Sequence, residues 1–323
     1  MMKPTFAALS LATLLSSCTP PCPDLRRIRD TIEVPRLEDL TAWLSQKESL
    51  VPHLKTGVDA QIIWAHPQAP SQTPLSIIYL PGYTATREEI SPVPERVAAA
   101  LGANLFYARL TAQGQGPEAH KDVTAKQWIR DAIEALLIGR RIGQKVVVMG
   151  TSTGGTLAAI LALNPGGLTP DASVLISPNL TPADPRSEWL LWPMAGLIVH
   201  AMLGKEIDIE PRNPAHGHFW DLKHDPHSLI PMMRLVQWAR RGDFEQWPTP
   251  ALVLYDPLDT VVNEQVTVQL FGKSPRSIVQ CREWEAAPGD DHHVLAGDIL
   301  SPGGTESMIR LVKSYLEGVF GVS

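Results

Sequence analysis

Residues Val146 to Gly155 read VVVMGTSTGG, a β-branched apolar run that breaks directly into Gly-x-Ser-x-Gly, with Gly150, Ser152 and Gly154 in the fixed places. A buried strand that ends this way turns too sharply for side chains to flank the serine, and the chain re-enters a helix at once. Glycines two before and two after leave room for neighbouring backbone in that turn. Thr156, Leu157, Ala158, Ile160, Leu161 and Leu163 continue as a mostly apolar helix suited to packing on a sheet. The motif alone is weak; a strand before it and a helix after it make it specific. It predicts a serine hydroxyl held above the edge of a sheet.

The rest of the chain supplies that sheet. Strand-like runs recur at 60–65, 76–80, 103–108, 145–149, 172–176, 251–255 and 277–283, and apolar residues at helical spacing fill 88–101, 125–142, 152–163, 263–271 and 305–320. This alternation predicts an α/β fold: a mainly parallel sheet with helices on both faces. Leu37, Leu40, Trp43 and Leu44 predict a short helix ahead of it. From Pro178 to Pro250 the rhythm breaks; no strand is legible, helical segments fall at 189–203 and 228–240, and prolines, histidines and tryptophans accumulate. An insertion at about 178–248 is expected to form a helical lid over the serine. Its Trp189-Leu190-Leu191-Trp192-Pro193-Met194 segment is apolar on all sides, which suits a buried lid core or the wall of an acyl pocket.

A serine hydroxyl needs a base to take its proton, and the base needs an acid to orient it. Asp256-Pro257-Leu258-Asp259 follows the strand at 251–255, and Asp259 is preferred because Asp256, ahead of proline, suits turn initiation. Downstream, Gly289-Asp290-Asp291-His292-His293-Val294-Leu295 precedes the last helix. One of its two histidines is expected to be the base; His293, at the loop-to-helix junction, is preferred, with His292 on the rim. Oxyanion donors are expected at the backbone N–H of Thr153, directly after the serine, and of Tyr83 in the loop Pro81-Gly82-Tyr83-Thr84. Pro81 has no N–H to offer.

The order Ser, Asp, His and these loops resemble the α/β-hydrolase superfamily over nearly all residues from about 60 onward, close to its bacterial serine esterase and monoacylglycerol-lipase-like branch. That branch usually carries His-Gly-Phe/Tyr-Thr/Ser in the oxyanion loop and Arg-Leu-x-Gly-His-Gly after the next strand. Here Pro81 stands for the His, and Arg109-Leu110-Thr111-Ala112-Gln113-Gly114 lacks the Gly-His pair. The resemblance implies Ser152 as nucleophile, His293 as base and then acid, Asp259 as orienting acid, an ester as small-molecule substrate and no cofactor. Acyl transfer to an alcohol and peptide cleavage use the same residues. A binding lipoprotein without activity predicts a broken triad, and here all three members stand in order.

Composition and termini narrow the setting. A 44% hydrophobic content suffices for a full core, and a net charge of -6 with no Lys/Arg block excludes the basic footprint that nucleic acid requires. Residues 1–17 hold Lys3 and an apolar stretch from Phe6 to Leu15, too short for a span and typical of a secretion signal. Leu15-Ser16-Ser17-Cys18 resembles the bacterial lipobox, which implies a diacylated Cys18 and a Pro-rich spacer. Residues 18–58 are then spacer and short helix, and 59–323 the hydrolase domain. With Thr19 after the cysteine, the resemblance implies a lipid anchor in the cell envelope, at the outer membrane facing the periplasm. Cys22 and Cys281 are left as a conceivable pair. His216, His218, His224 and His227, with Asp221 or Asp225, invite a metal, but no HExxH or paired-cysteine spacing supports one and none is expected.

Overall fold

The computed structural model describes residues 21–164 and 169–321. The expected signal segment and Cys18 lie outside them. Among the described residues nine strands form: β1 (Gln61–Ile63), β2 (Thr73–Leu80), β3 (Asn104–Tyr107), β4 (Gly143–Thr151), β5 (Ala172–Ile176), β6 (Ile207–Asp208), β7 (Lys223–His224), β8 (Ala251–Tyr255) and β9 (Val279–Glu283). Seven of them make one sheet in the order β1-β3-β2-β4-β5-β8-β9, parallel except for β1. All seven strand-like runs of the sequence are in it.

The helices are α1 (Leu25–Arg29), α2 (Leu37–Ser49), α3 (Val93–Ala100), α4 (Ala125–Ile142), α5 (Thr153–Leu163), α6 (Ala195–Leu203), α7 (Pro214–Phe219), α8 (Leu229–Arg240), α9 (Glu264–Phe271) and α10 (Pro302–Phe320). Strand side chains divide between two cores with period two, as a sheet covered on both sides requires. Ile78, Val146, Val148 and Leu175 face α4 and α5, whereas Ile77, Val147, Met149 and Val174 face α3 and α10. α4 begins at a capping box in which Thr124 and Gln127 bond each other's backbone N–H, and its amphipathic run buries Trp128, Ile129, Ile133 and Leu136.

Three expectations need correction. The helix expected over 88–101 is split into a 3-10 turn (Arg87–Glu89) and α3, because Pro92 and Pro94 supply no N–H to a continuous helix. The stretch 178–250 is not strand-free: β6 and β7 pair antiparallel, too short to leave a periodic signature. The Trp189–Met194 segment is not apolar on all sides in its surroundings. Leu190 and Leu191 are buried, but Trp192 and Met194 are more than half exposed. Cys22 and Cys281 are both free thiols, and burial pushes each up to about 11. No described helix is long and apolar enough to cross a membrane.

Candidate active site

The chain adds β3 outside β2, then returns past β2 to lay β4, β5, β8 and β9 on the other side. Between β2 and β4 the connections diverge, and a crevice opens there at the carboxyl ends of the strands. The loops after β2 and β4 are therefore neighbours. Ser152 follows β4 with φ 51 and ψ -113, a conformation that L-residues rarely adopt. It is held by Ser152 N–H donating to Ile176 O at 2.9 Å and Asn179 N–H donating to Ser152 O at 3.1 Å. A Cβ on Gly154 would stand 1.9 Å from Leu80 O, and one on Gly150 2.5 Å from Gly154 O. Only glycine lets the start of α5 come this close to the end of β2.

That approach brings the two expected oxyanion donors to the same crevice. Thr153 opens α5, where the first N–H groups have no intrahelical acceptor and the helix dipole favours negative charge. Tyr83 N–H makes no hydrogen bond among the described residues. Gln113 fixes its peptide and Glu89 the peptide before it, two side chains that the sequence did not single out. Gln113 Nε2 donates to Gly82 O at 2.6 Å, and Gly82 N–H donates to buried Glu89 at 2.8 Å. A planar trans peptide carries its C=O and N–H on opposite sides, so the Gln113 bond turns Tyr83 N–H away from Gln113. The Tyr83 hydroxyl is bonded to Ser228 of the insertion.

The two histidines of the last loop are each joined to an aspartate of the loop after β8. His293 Nδ1 lies 2.7 Å from Asp259 Oδ2, and His292 Nδ1 lies 2.8 Å from Asp256 Oδ2. Exposure separates the pairs: the His293 side chain is 12% exposed and the His292 side chain 43%. Asp259 Oδ1 accepts the N–H groups of Val261 and Val262, which fixes its carboxylate, and Asp291 accepts those of His293 and Val294, which fixes the loop. Arg212 of the insertion pairs with Asp291 in turn.

Burial disfavours a charged imidazole, but the hydrogen bond and charge of Asp259, with Asp291 and Glu89 behind it, outweigh burial and raise the His293 pKa above its ordinary value. Burial also raises the Glu89 carboxyl, against the bonds from Tyr79 and Gly82 and the nearby imidazole.

Ser152, Tyr83, Glu89 and His293 line one cavity of about 420 Å³. The insertion adds Ile207, Trp220, Leu222, Leu229 and Met232 beside the polar Glu210, Arg212, His216 and His224, and the last loop adds Asp291, Val294 and Leu300. Ser152 and His293 are not hydrogen-bonded to each other; such contacts are often long until substrate is bound. A hydroxyl, a carboxylate-held imidazole and two free N–H groups around one apolar hollow can attack a carbonyl and stabilise the oxyanion.

Three of the four histidines weighed as metal ligands stand apart from one another. His216 accepts from Arg212 N–H, His218 bonds Thr56 O, and buried His224 bonds Asp221 O and packs edge-on against Tyr83. Asp221 instead ties the insertion down, taking hydrogen bonds from Gly114 and Gly116 N–H, His120 and Lys55.

A family model described as alpha/beta hydrolase family matches residues 77–298. None of the curated proteins matches this chain in sequence. Among solved structures, a metagenome-derived lipolytic enzyme from a study of LipS and LipT superposes with a TM-score of 0.65 at 16% identity, over 82% of this chain and 99% of that one. The monoglyceride lipase of Saccharomyces cerevisiae, as a soluble variant, gives 0.59 at 10% identity over 81% and 91%. The monoacylglycerol lipase of Paleococcus ferrophilus gives 0.59 at 14% identity over 80% and 98%. These likenesses establish the fold.

Proposed function

The chain belongs to the alpha/beta hydrolase family, and on that premise we propose that it hydrolyses lipophilic carboxylic esters through an acyl-serine on Ser152. The observation that carries this reading is the meeting, on one apolar cavity wall, of the Ser152 turn and the Asp259-bonded His293. His293 Nε2 takes the Ser152 proton as Oγ attacks the ester carbonyl. Asp259 holds the proton on Nδ1, so that Nε2 carries the lone pair, and stabilises the imidazolium that forms. The oxyanion is met by Tyr83 and Thr153 N–H, each donor worth on the order of 10²- to 10³-fold. His293 then returns its proton to the leaving alcohol, and water repeats the sequence to release the acid.

The substrate class follows from the cavity, whose Leu222, Leu229, Met232, Val294 and Leu300 offer an acyl chain apolar contact, while Glu210, Arg212, His216 and His224 add polar groups to the same wall. Lipolytic enzymes and monoacylglycerol lipases share the fold, and the proposal takes the same class of bond. The insertion acts here as a lid. A p-nitrophenyl ester series of increasing acyl length, run beside Ser152→Ala, tests the reading. Turnover that rises with chain length before falling, and vanishes in the variant, is expected; a variant as fast as the parent overturns it. Diacylation of Cys18 belongs to the same proposal. It predicts that the full-length protein partitions into detergent and that Cys18→Ala does not.

A further inference from the structure

We propose that the insertion carries a site for a divalent transition metal of the zinc type, formed by His200, Asp225 and His227. His200 sits on α6 and the other two on the 3-10 turn (Pro226–Ser228) that leads into α8 and its capping residue. Three potential ligand atoms converge. His200 Nε2 is 3.0 Å from Asp225 Oδ1, His227 Nδ1 is 3.2 Å from the same oxygen, and the two nitrogens are 3.3 Å apart. Ligands bound tetrahedrally to zinc at about 2.0–2.1 Å lie about 3.3 Å from one another, so these three atoms already span the face of such a site. Asp225 and His227 are two residues apart, but His200 comes from 25 residues upstream, so the full set has no local spacing in the sequence.

The second nitrogen of His227 supports the assignment. His227 Nε2 lies 2.8 Å from the backbone oxygen of Gly196, an atom that only accepts, so Nε2 carries the proton. In the neutral ring Nδ1 then holds a lone pair, and that lone pair faces a carboxylate oxygen and a second imidazole nitrogen. A proton on His200 Nε2 or a cation can occupy that meeting point, and a cation satisfies all three atoms at once. A backbone carbonyl behind a histidine ligand is also the usual device that fixes its tautomer and ring plane in metal sites. Two imidazoles and a carboxylate suit zinc rather than magnesium or calcium, which take oxygen ligands. The His200 side chain is 43% exposed, which leaves a fourth position to water.

A bound ion would join α6 to the turn that carries Ser228. Ser228 Oγ donates to Asp225 O and is bonded to the Tyr83 hydroxyl, so the site is one residue away from the loop that offers the Tyr83 N–H. The test is a binding measurement and does not depend on ester hydrolysis. Tag-free protein, stripped with chelator, is titrated with Zn²⁺ by calorimetry and with Co²⁺ by visible absorption, with Mg²⁺ and Ca²⁺ as controls. One equivalent of Zn²⁺, a Co²⁺ spectrum of low coordination number, a raised Tm, and binding at least about tenfold weaker in both His200→Ala and His227→Ala are expected. His200 is exposed, so its variant will fold. Absence of Zn²⁺ binding in the parent, or equal binding in both variants, overturns the proposal.

Discussion

α5 and α6 are both short and almost wholly apolar, yet α5 buries every residue from Thr153 to Ala162 and α6 buries only Ala195 and Val199. Leu197 on α6 is 79% exposed, and Met202 is 62% exposed. The cause is placement. α5 lies between the sheet and α8, whereas α6 rests on the outer side of the insertion, held by contacts with the neighbouring 3-10 turns and by the His200–Asp225 bond. Apolar sequence fixes a preference for burial; neighbouring layers decide whether it is met. The two helices therefore contribute differently: α5 holds Ser152 at its start from a buried layer, and the insertion walls the cavity from elements tied down by polar bonds such as those to Asp221.

The sharpest break of this contrast is at the residue that caps α5. Ser152→Ala should lower kcat by about 10⁶-fold with no loss of Tm, since it removes one oxygen and no packing; a melting scan beside the steady-state assay checks both. Next in size, Asp259→Asn should cost about 10⁴-fold, because the amide leaves His293 in the wrong tautomer. The pH profile sharpens this. The raised His293 pKa means the base is neutral only above its ordinary titration range, so kcat/KM of the parent should fall on its acid side at a pH above that of a free imidazole. In Asp259→Asn, with the charge gone, that limb should move to lower pH.

The comparison of the helices themselves is tested by stability. Leu157→Ala in α5 removes a fully buried side chain and should cost about 2–5 kcal/mol in denaturant unfolding. Leu197→Ser in α6 should change stability by no more than about 0.5 kcal/mol. Equal costs would show that α6 is packed as α5 is, against the exposures seen here.

Much of this was legible in the chain. The five inner strands of the main sheet coincide with apolar runs, because a strand buried on both faces cannot hide its composition, whereas edge strand β9 is mostly exposed. β5 and β8, each flanked by two others, match their runs from first residue to last. The turn after β4 was also legible, since Gly150 and Gly154 are dictated by backbone contacts that only glycine permits. The choice between the two aspartates and the two histidines was less so. Asp256–His292 and Asp259–His293 are equally well bonded, and only burial and the cavity wall distinguish them. Glu89 and Gln113 left no signal, because each acts by reaching one backbone group of Gly82 from a distant segment.

The sequence by itself therefore determined the layers of this protein and the place where its serine is displayed, since periodicity, β-branching and obligatory glycines are local consequences of backbone geometry. Only the tertiary structure decided what surrounds that serine: which imidazole faces the cavity, how the Gly82–Tyr83 peptide is turned, and that His200, Asp225 and His227 meet. Those depend on side chains from remote segments converging within hydrogen-bond distance, and a convergence of that kind has no period along the chain.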